Sequence, residues 1–100
     1  MNNEPYGLIT SSGAEAISDD SGMKFILRRE ISFSGAIDNE VYTSYCYVKD
    51  GPGWEKTSNS GQYPSVRAFV KAVAGFPGFT KASNELEKGW QDEQTNGRNP

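Results

Sequence analysis

One hundred residues, 35% hydrophobic and 23% charged, suffice for one modest core, since a chain of this size buries somewhat over ~60% of its unfolded surface. With a formal charge of −3 and no clustered basic stretch, the chain is poorly suited to counterion-release binding of DNA or RNA. It contains no histidine, which excludes Ser-His, Cys-His and common zinc chemistry, and no spacing of carboxylates, lysines and tyrosines suggests a reaction.

Met1 to Gly22 is polar and acidic, with Glu4, Glu15, Asp19 and Asp20 and no base. It reads as a loosely ordered arm, or as an edge strand at Leu8 to Thr10 followed by one helical turn from Gly13 to Ser18. Met1 to Pro5 has neither the basic nor the apolar region of a leader, and no run of about 18 apolar residues occurs, so a soluble cytoplasmic protein is expected. Ser18 to Ser21 is acidic but lacks the alternating acids and closing glutamate of a calcium loop, so no metal site is expected.

From Met23 to Ser34 apolar residues alternate: Met23, Phe25, Leu27, Ile31 and Phe33 share one side, interrupted by Arg29. Period two over this length predicts a half-buried strand. Gly35 and Asp38-Asn39 supply turn chemistry, and Glu40 to Lys49 returns as the second strand of an antiparallel hairpin. Arg29 should reach the edge of its face or pair with an acid such as Glu85 or Glu87. Cys46, the sole cysteine, reads as a buried inert thiol.

Asp50-Gly51-Pro52-Gly53 breaks the chain, because glycine admits positive φ and proline withholds a donor. A third strand follows at Trp54 to Ser58, then a loop at Asn59 to Gln62. Ser65 is placed to cap a helix whose Val66, Phe69, Val70 and Val73 recur at helical spacing, with Gly75 suited to a left-handed C-terminal position. After the Phe76-Pro77-Gly78-Phe79 connector, with Thr80 as N-cap, a second helix runs from about Lys81 to Gln94. Phe79, Ala82, Leu86 and Trp90 form its apolar side; Glu85, Glu87, Lys88, Gln91 and Asp92 form its polar side. Gly89 weakens this helix and suggests close packing beside Trp90.

The predicted architecture is α+β: a three- or four-stranded antiparallel sheet packed on two helices in the order β-β-(β)-α-α. It divides into an arm at 1–22, one domain at 23–94 and a polar tail at 95–100.

Two helices cover only one face of such a sheet. The second strand carries Val41, Thr43, Tyr45 and Tyr47 on one face and Tyr42, Ser44, Cys46 and Val48 on the other, so tyrosine is exposed whichever is buried. Tyr42, Cys46 and Val48 are the favoured inner set, leaving Tyr45 and Tyr47 outside beside Ile26 and Arg28. Tyrosine, tryptophan and arginine bury large area at low entropic cost and keep a polar handle. The candidate partner contacts are therefore Ile26, Arg28, Tyr42, Tyr45, Tyr47, Trp54 and Tyr63.

The layout resembles the small phage anti-CRISPR proteins of the type I-F class. Some of these open an antiparallel sheet with a stretch like Met23-Lys24-Phe25-Ile26 and join two short helices by a turn like Gly75 to Phe79. The similarity spans Met23 to Gln94 and is one of arrangement; the acidic arm and the Phe-Pro-Gly-Phe connector depart from it. The resemblance implies a non-enzymatic inhibitor without cofactor that binds an RNA-guided surveillance complex and blocks target DNA. An accessory or immunity-type protein-binding module is the alternative, as is a sheet-face binder of single-stranded nucleic acid in which Tyr45, Tyr47 and Trp54 stack bases. The aromatic face would also suit a two-fold homodimer.

Overall fold

The computed structural model describes residues 7–10, 13–34 and 37–98. Five strands, β1 (Gly7–Thr10), β2 (Gly13–Ile17), β3 (Met23–Ser34), β4 (Ile37–Asp50) and β5 (Gly53–Tyr63), are followed by α1 (Val66–Val73) and α2 (Thr80–Arg98). The strands form one antiparallel meander in the order β1-β2-β3-β4-β5. The α+β layout, an antiparallel sheet followed by two helices, is as expected.

Two short strands come from the segment at 1–22: the alternative edge strand at Leu8 to Thr10 is found as β1, and the expected helical turn is replaced by β2. Gly13 to Ile17 is extended, not helical, because Ala14 and Ala16 alternate with Glu15 and Ile17 and pair with Leu27 and Phe25 of β3. The two alanines are 5% and 0% exposed, small enough for the helices to sit directly on the strand. Sequence periodicity was weak here because alanine carries little hydrophobic signal. Met1 to Tyr6 and the turn at Gly35 lie outside the described residues, as do the side chains of Phe33, Gln91 and Asp92. Asp38-Asn39 belongs to β4, not to a turn, opposite Phe33 and Ser32.

The β4–β5 hairpin closes through Gly51-Pro52, with Asp50 opposite Gly53 and Gly51 at φ 59°. Glycine at the first central position is what a tight primed turn requires. Strand β5 is longer than expected: residues 59–62 are strand, not loop. The register jumps between Tyr45–Ser60 and Tyr47–Lys56, so a bulge absorbs extra residues on β5 that read as a loop in sequence.

Ser65 caps α1, its hydroxyl accepting from the Ala68 amide at 3.1 Å, and Phe69, Val70 and Val73 are buried against the sheet. Gly75 is not left-handed; its amide donates to the Ala72 carbonyl at 3.0 Å, and the positive φ falls at Gly78, at 81°. The connector folds into an aromatic cluster in which Phe25, Phe76 and Phe79 have ring centroids 5.1 to 5.9 Å apart.

Helix α2 begins at Thr80, yet Thr80 is not its cap. The Asp19 carboxylate, from the turn between β2 and β3, accepts from the Lys81 amide at 2.9 Å and the Thr80 amide at 3.3 Å. The Asp19 amide donates in return to the Gly78 carbonyl at 2.8 Å. A carboxylate at a helix N-terminus satisfies orphan amides and opposes the helix dipole, so this turn locks the helix pair to the sheet. Its neighbour Asp20 is bound within the turn by the Ser18 hydroxyl at 2.7 Å and the Gly22 amide at 2.9 Å. The Ser18 bond, and then the Gly22 bond, hold the Asp20 carboxyl below its usual pKa.

The core consists of Ala14, Ala16 and Leu27 from the sheet and Phe69, Val70, Val73, Phe79, Ala82 and Leu86 from the helices and their connector. Helix α2 continues through Arg98, so 95–98 are helical, not tail. Gly89 faces Ile9 of β1: a methyl group there would stand 3.6 Å from Ile9 Cδ1, an ordinary contact. Gly89→Ala is therefore expected to raise stability by about 0.5–1 kcal/mol through helix propensity. Thermal unfolding followed by circular dichroism should show a midpoint a few degrees higher; a lower one would mean that β1 and α2 leave no room.

Candidate interaction surface

Antiparallel register fixes which side chains share the face away from the helices, because directly opposed residues point the same way. Phe25 opposes Cys46 and Leu27 opposes Ser44, and these face the core layer. The alternate positions lie on the open face: Lys24 opposite Tyr47, Ile26 opposite Tyr45, Arg28 opposite Thr43 and Glu30 opposite Val41. Strand β5 adds Trp54 opposite Lys49, Lys56 opposite Tyr47, Ser60 opposite Tyr45 and Gln62 opposite Thr43.

Five of the seven candidate contacts therefore meet on one surface: Ile26, Arg28, Tyr45, Tyr47 and Trp54. Tyr42 and Tyr63 do not join them. Both are half-buried against the core from the helix side, and the Tyr63 ring packs edge-on to Phe69 at 5.5 Å. Tyr42 follows the strand parity of Ser44 and Cys46, and Tyr63 is directly opposite Tyr42, so both turn toward α1. Cys46 is buried, 2% exposed.

Sequence inspection overlooked the cations around the rings. Lys24 Nζ stands 4.5 Å from the Trp54 ring centroid and 5.8 Å from that of Tyr47. Lys49 Nζ lies 5.1 Å from Trp54, and Lys56 Nζ 4.4 Å from Tyr45. For the exposed Lys49 and Lys56 each ammonium–ring contact is worth roughly 0.5–1 kcal/mol, enough to order a long side chain without fixing it, while Lys24 is half-buried. Strand parity puts Lys24, Arg28 and Lys49 with the tyrosines, and Lys56, two residues from Trp54 and directly opposite Tyr47, joins them through the tight β4–β5 hairpin. Among the described residues, four cations on this face accompany two carboxylates, Glu15 and Glu30, in a chain of net charge −3.

Both carboxylates are engaged within the face. Glu15 pairs with Lys24 at 3.5 Å. Glu30 accepts from the Tyr45 hydroxyl at 2.6 Å and the Thr43 hydroxyl at 2.7 Å. Those bonds, Tyr45 first, hold the Glu30 carboxyl below its usual pKa, and the positive charges of Arg28 and Lys56 act in the same direction. The Tyr45 phenol is correspondingly pushed above the usual tyrosine range, chiefly by its bond to Glu30.

The linkage has opposite signs for the two groups. A depressed Glu30 stabilises the fold above the ordinary glutamate range, and that contribution is lost as pH falls through its folded pKa. A raised Tyr45 stabilises the fold below the ordinary tyrosine range, and that contribution is lost as pH rises through its folded pKa. Ultraviolet titration should show one tyrosine ionising above the usual tyrosine range, and Glu30→Gln should bring it back toward that range. An unchanged titration curve in Glu30→Gln would disprove the pairing.

Arg29 points to the opposite face and pairs with Glu40 across β3 and β4, not with Glu85 or Glu87. Its guanidinium pKa is raised by that hydrogen bond and by the Glu40 charge. Helix α2 covers the β1 side of the sheet, so its acids are not the near partners. Beside the β2–β3 turn, a cleft of about 340 Å³ opens against Pro77 and Phe79, and its carboxylates Asp19 and Asp20 are bound to the backbone as described. Among the described residues no helix is long and apolar enough to cross a membrane.

Comparison with protein-family models, with curated proteins and with solved structures finds no match to this chain.

Proposed function

We propose that this protein is a non-enzymatic binding protein that acts by covering its partner with the open face of the sheet. The supporting observation is the gathering of Ile26, Arg28, Tyr45, Tyr47 and Trp54 on the face away from α1 and α2. Large amphipathic rings held by neighbouring side chains lose little entropy on contact, which is what a binding centre needs. Occlusion requires no reacting group, and a chain without histidine is suited to it. The resemblance of Met23 to Gln94 to type I-F anti-CRISPR proteins favours an RNA-guided surveillance complex as the partner and exclusion of target DNA as the effect.

The double variant Tyr45→Ala/Tyr47→Ala tests this reading. Both side chains point away from the core, so the circular dichroism spectrum should be unchanged. Capture of a purified type I-F surveillance complex, and inhibition of its DNA binding, should fall by roughly 1,000-fold if two contacts of about 2 kcal/mol each are lost. Undiminished capture by the double variant would show that the open face is not the working surface.

A further inference from the structure

The electrostatics of the open face differ from those of the chain. Read linearly, the ten basic residues are dispersed and outnumbered by thirteen acids. The meander draws Lys24 and Arg28 from β3, Lys49 from β4 and Lys56 from β5 onto one surface. Three of these four cations stand over aromatic rings, at 4.4 to 5.1 Å from the nearest centroid. The two carboxylates of the face are tied internally, Glu15 to Lys24 and Glu30 to Tyr45 and Thr43.

From this juxtaposition of rings and ammonium groups we infer that the open face binds a single strand of nucleic acid across β3, β4 and β5. The inference rests on the open-face reading above and specifies what that face covers. Residues two apart on a strand stand roughly 7 Å apart, so Tyr45, Tyr47 and the Trp54–Lys49 pair make a stepped row of rings. A flexible single strand can splay successive bases onto such a row, because every base has a π-face. A stacked duplex cannot.

The lysines now over the rings have flexible four-carbon stems, and they reach phosphates once bases replace them on the aromatic faces. The alternation of rings with ammonium groups matches a strand that alternates base faces with phosphates, and this regular pairing is what favours a single strand over a protein partner. The contacts are to backbone phosphate and base faces, so binding is tolerant of sequence.

The test is fluorescence anisotropy with labelled uridine and thymidine oligomers of about twelve nucleotides, titrated with the full chain at several salt concentrations. Three or four phosphate contacts give a slope of log K against log salt of roughly −2 to −3, or about 15- to 60-fold weaker binding between about 50 and about 200 mM salt. Trp54→Ala should weaken binding by roughly tenfold, and Lys24→Gln/Lys49→Gln should flatten the slope by about 0.7 per lysine. Circular dichroism checks that each variant is folded.

No anisotropy change at the lowest salt overturns the inference, as does binding that these variants leave unaltered. Failure here is distinguishable from failure of the open-face reading. If the oligomers do not bind but Tyr45→Ala/Tyr47→Ala still abolishes capture of a nuclease-treated surveillance complex, the face is a protein-docking surface. If neither measurement responds, both readings fall.

Discussion

Leu86→Ala should lower the unfolding free energy by about 2–5 kcal/mol. Leu86 is 0% exposed and belongs to the central cluster with Phe69, Ala82 and Ala16. It also lies over the first strand: a methyl group placed on Gly7 would stand 2.8 Å from Leu86 Cγ. Truncation removes the apolar burial of the side chain and leaves a void between α2 and the β1–β2 hairpin that backbone packing hinders from closing. A domain of this size has about 5–15 kcal/mol in total, so the variant approaches the limit of folding at room temperature. Urea unfolding should show a lower midpoint at unchanged slope, whereas Leu86→Met should stay within about 1.5 kcal/mol. A loss under ~1 kcal/mol for alanine would mean that α2 does not seal the sheet.

Gly13→Ala is expected to be the most damaging of the small changes, by about 1–3 kcal/mol or more. Its Cβ would fall 2.0 Å from the Leu27 carbonyl oxygen, an atom of backbone that no rotamer change can move aside. Strand β2 would have to peel from β3 at its first residue, loosening Ala14 and Ala16 beneath the helices. Gly89→Ala is the internal control, since the same methyl group meets only ordinary contact there and should stabilise. Amide exchange would localise the Gly13→Ala defect, with faster exchange expected along β1 and β2. If both variants unfold at the wild-type midpoint, the proximity of Gly13 to Leu27 is not as described.

The long β3–β4 hairpin and α1 were legible because Met23, Phe25 and Leu27 alternate at period two, Tyr42 to Val48 is rich in strand-forming residues, and Phe69, Val70 and Val73 repeat at helical spacing. Strand β1 was legible only as the alternative edge strand at Leu8 to Thr10, and β2 was missed because its inward residues, Ala14 and Ala16, are small side chains that give almost no periodic signal. The tyrosines of the open face followed from counting faces, and Tyr45 and Tyr47, both half-buried, lie where parity put them. Tyr63 could not be assigned, since residues 59–62 read as a loop and so no strand parity reached it. The basic surround was hidden for a related reason: charge along a chain does not show which residues a register brings side by side. Asp19 as the cap of α2 was hidden most deeply, because local sequence offers Thr80 at the expected position and the true acceptor lies 61 residues away.

That distant cap bears on the order in which the molecule assembles. A meander can zip from neighbour to neighbour, each turn closing a short loop, so most of the sheet forms from contacts of low sequence separation. The Asp19 bonds to Thr80 and Lys81 and the seat of Leu86 over Gly7 join opposite ends of the chain and demand the largest loop closure. The first turn of α2 lacks its acceptor until the β2–β3 corner exists, which makes helix docking a late event conditional on a formed sheet. A ribosome-tethered chain that has emerged only through β5 would carry the open aromatic face before its reverse side is covered, so the two sides of the sheet mature at different times.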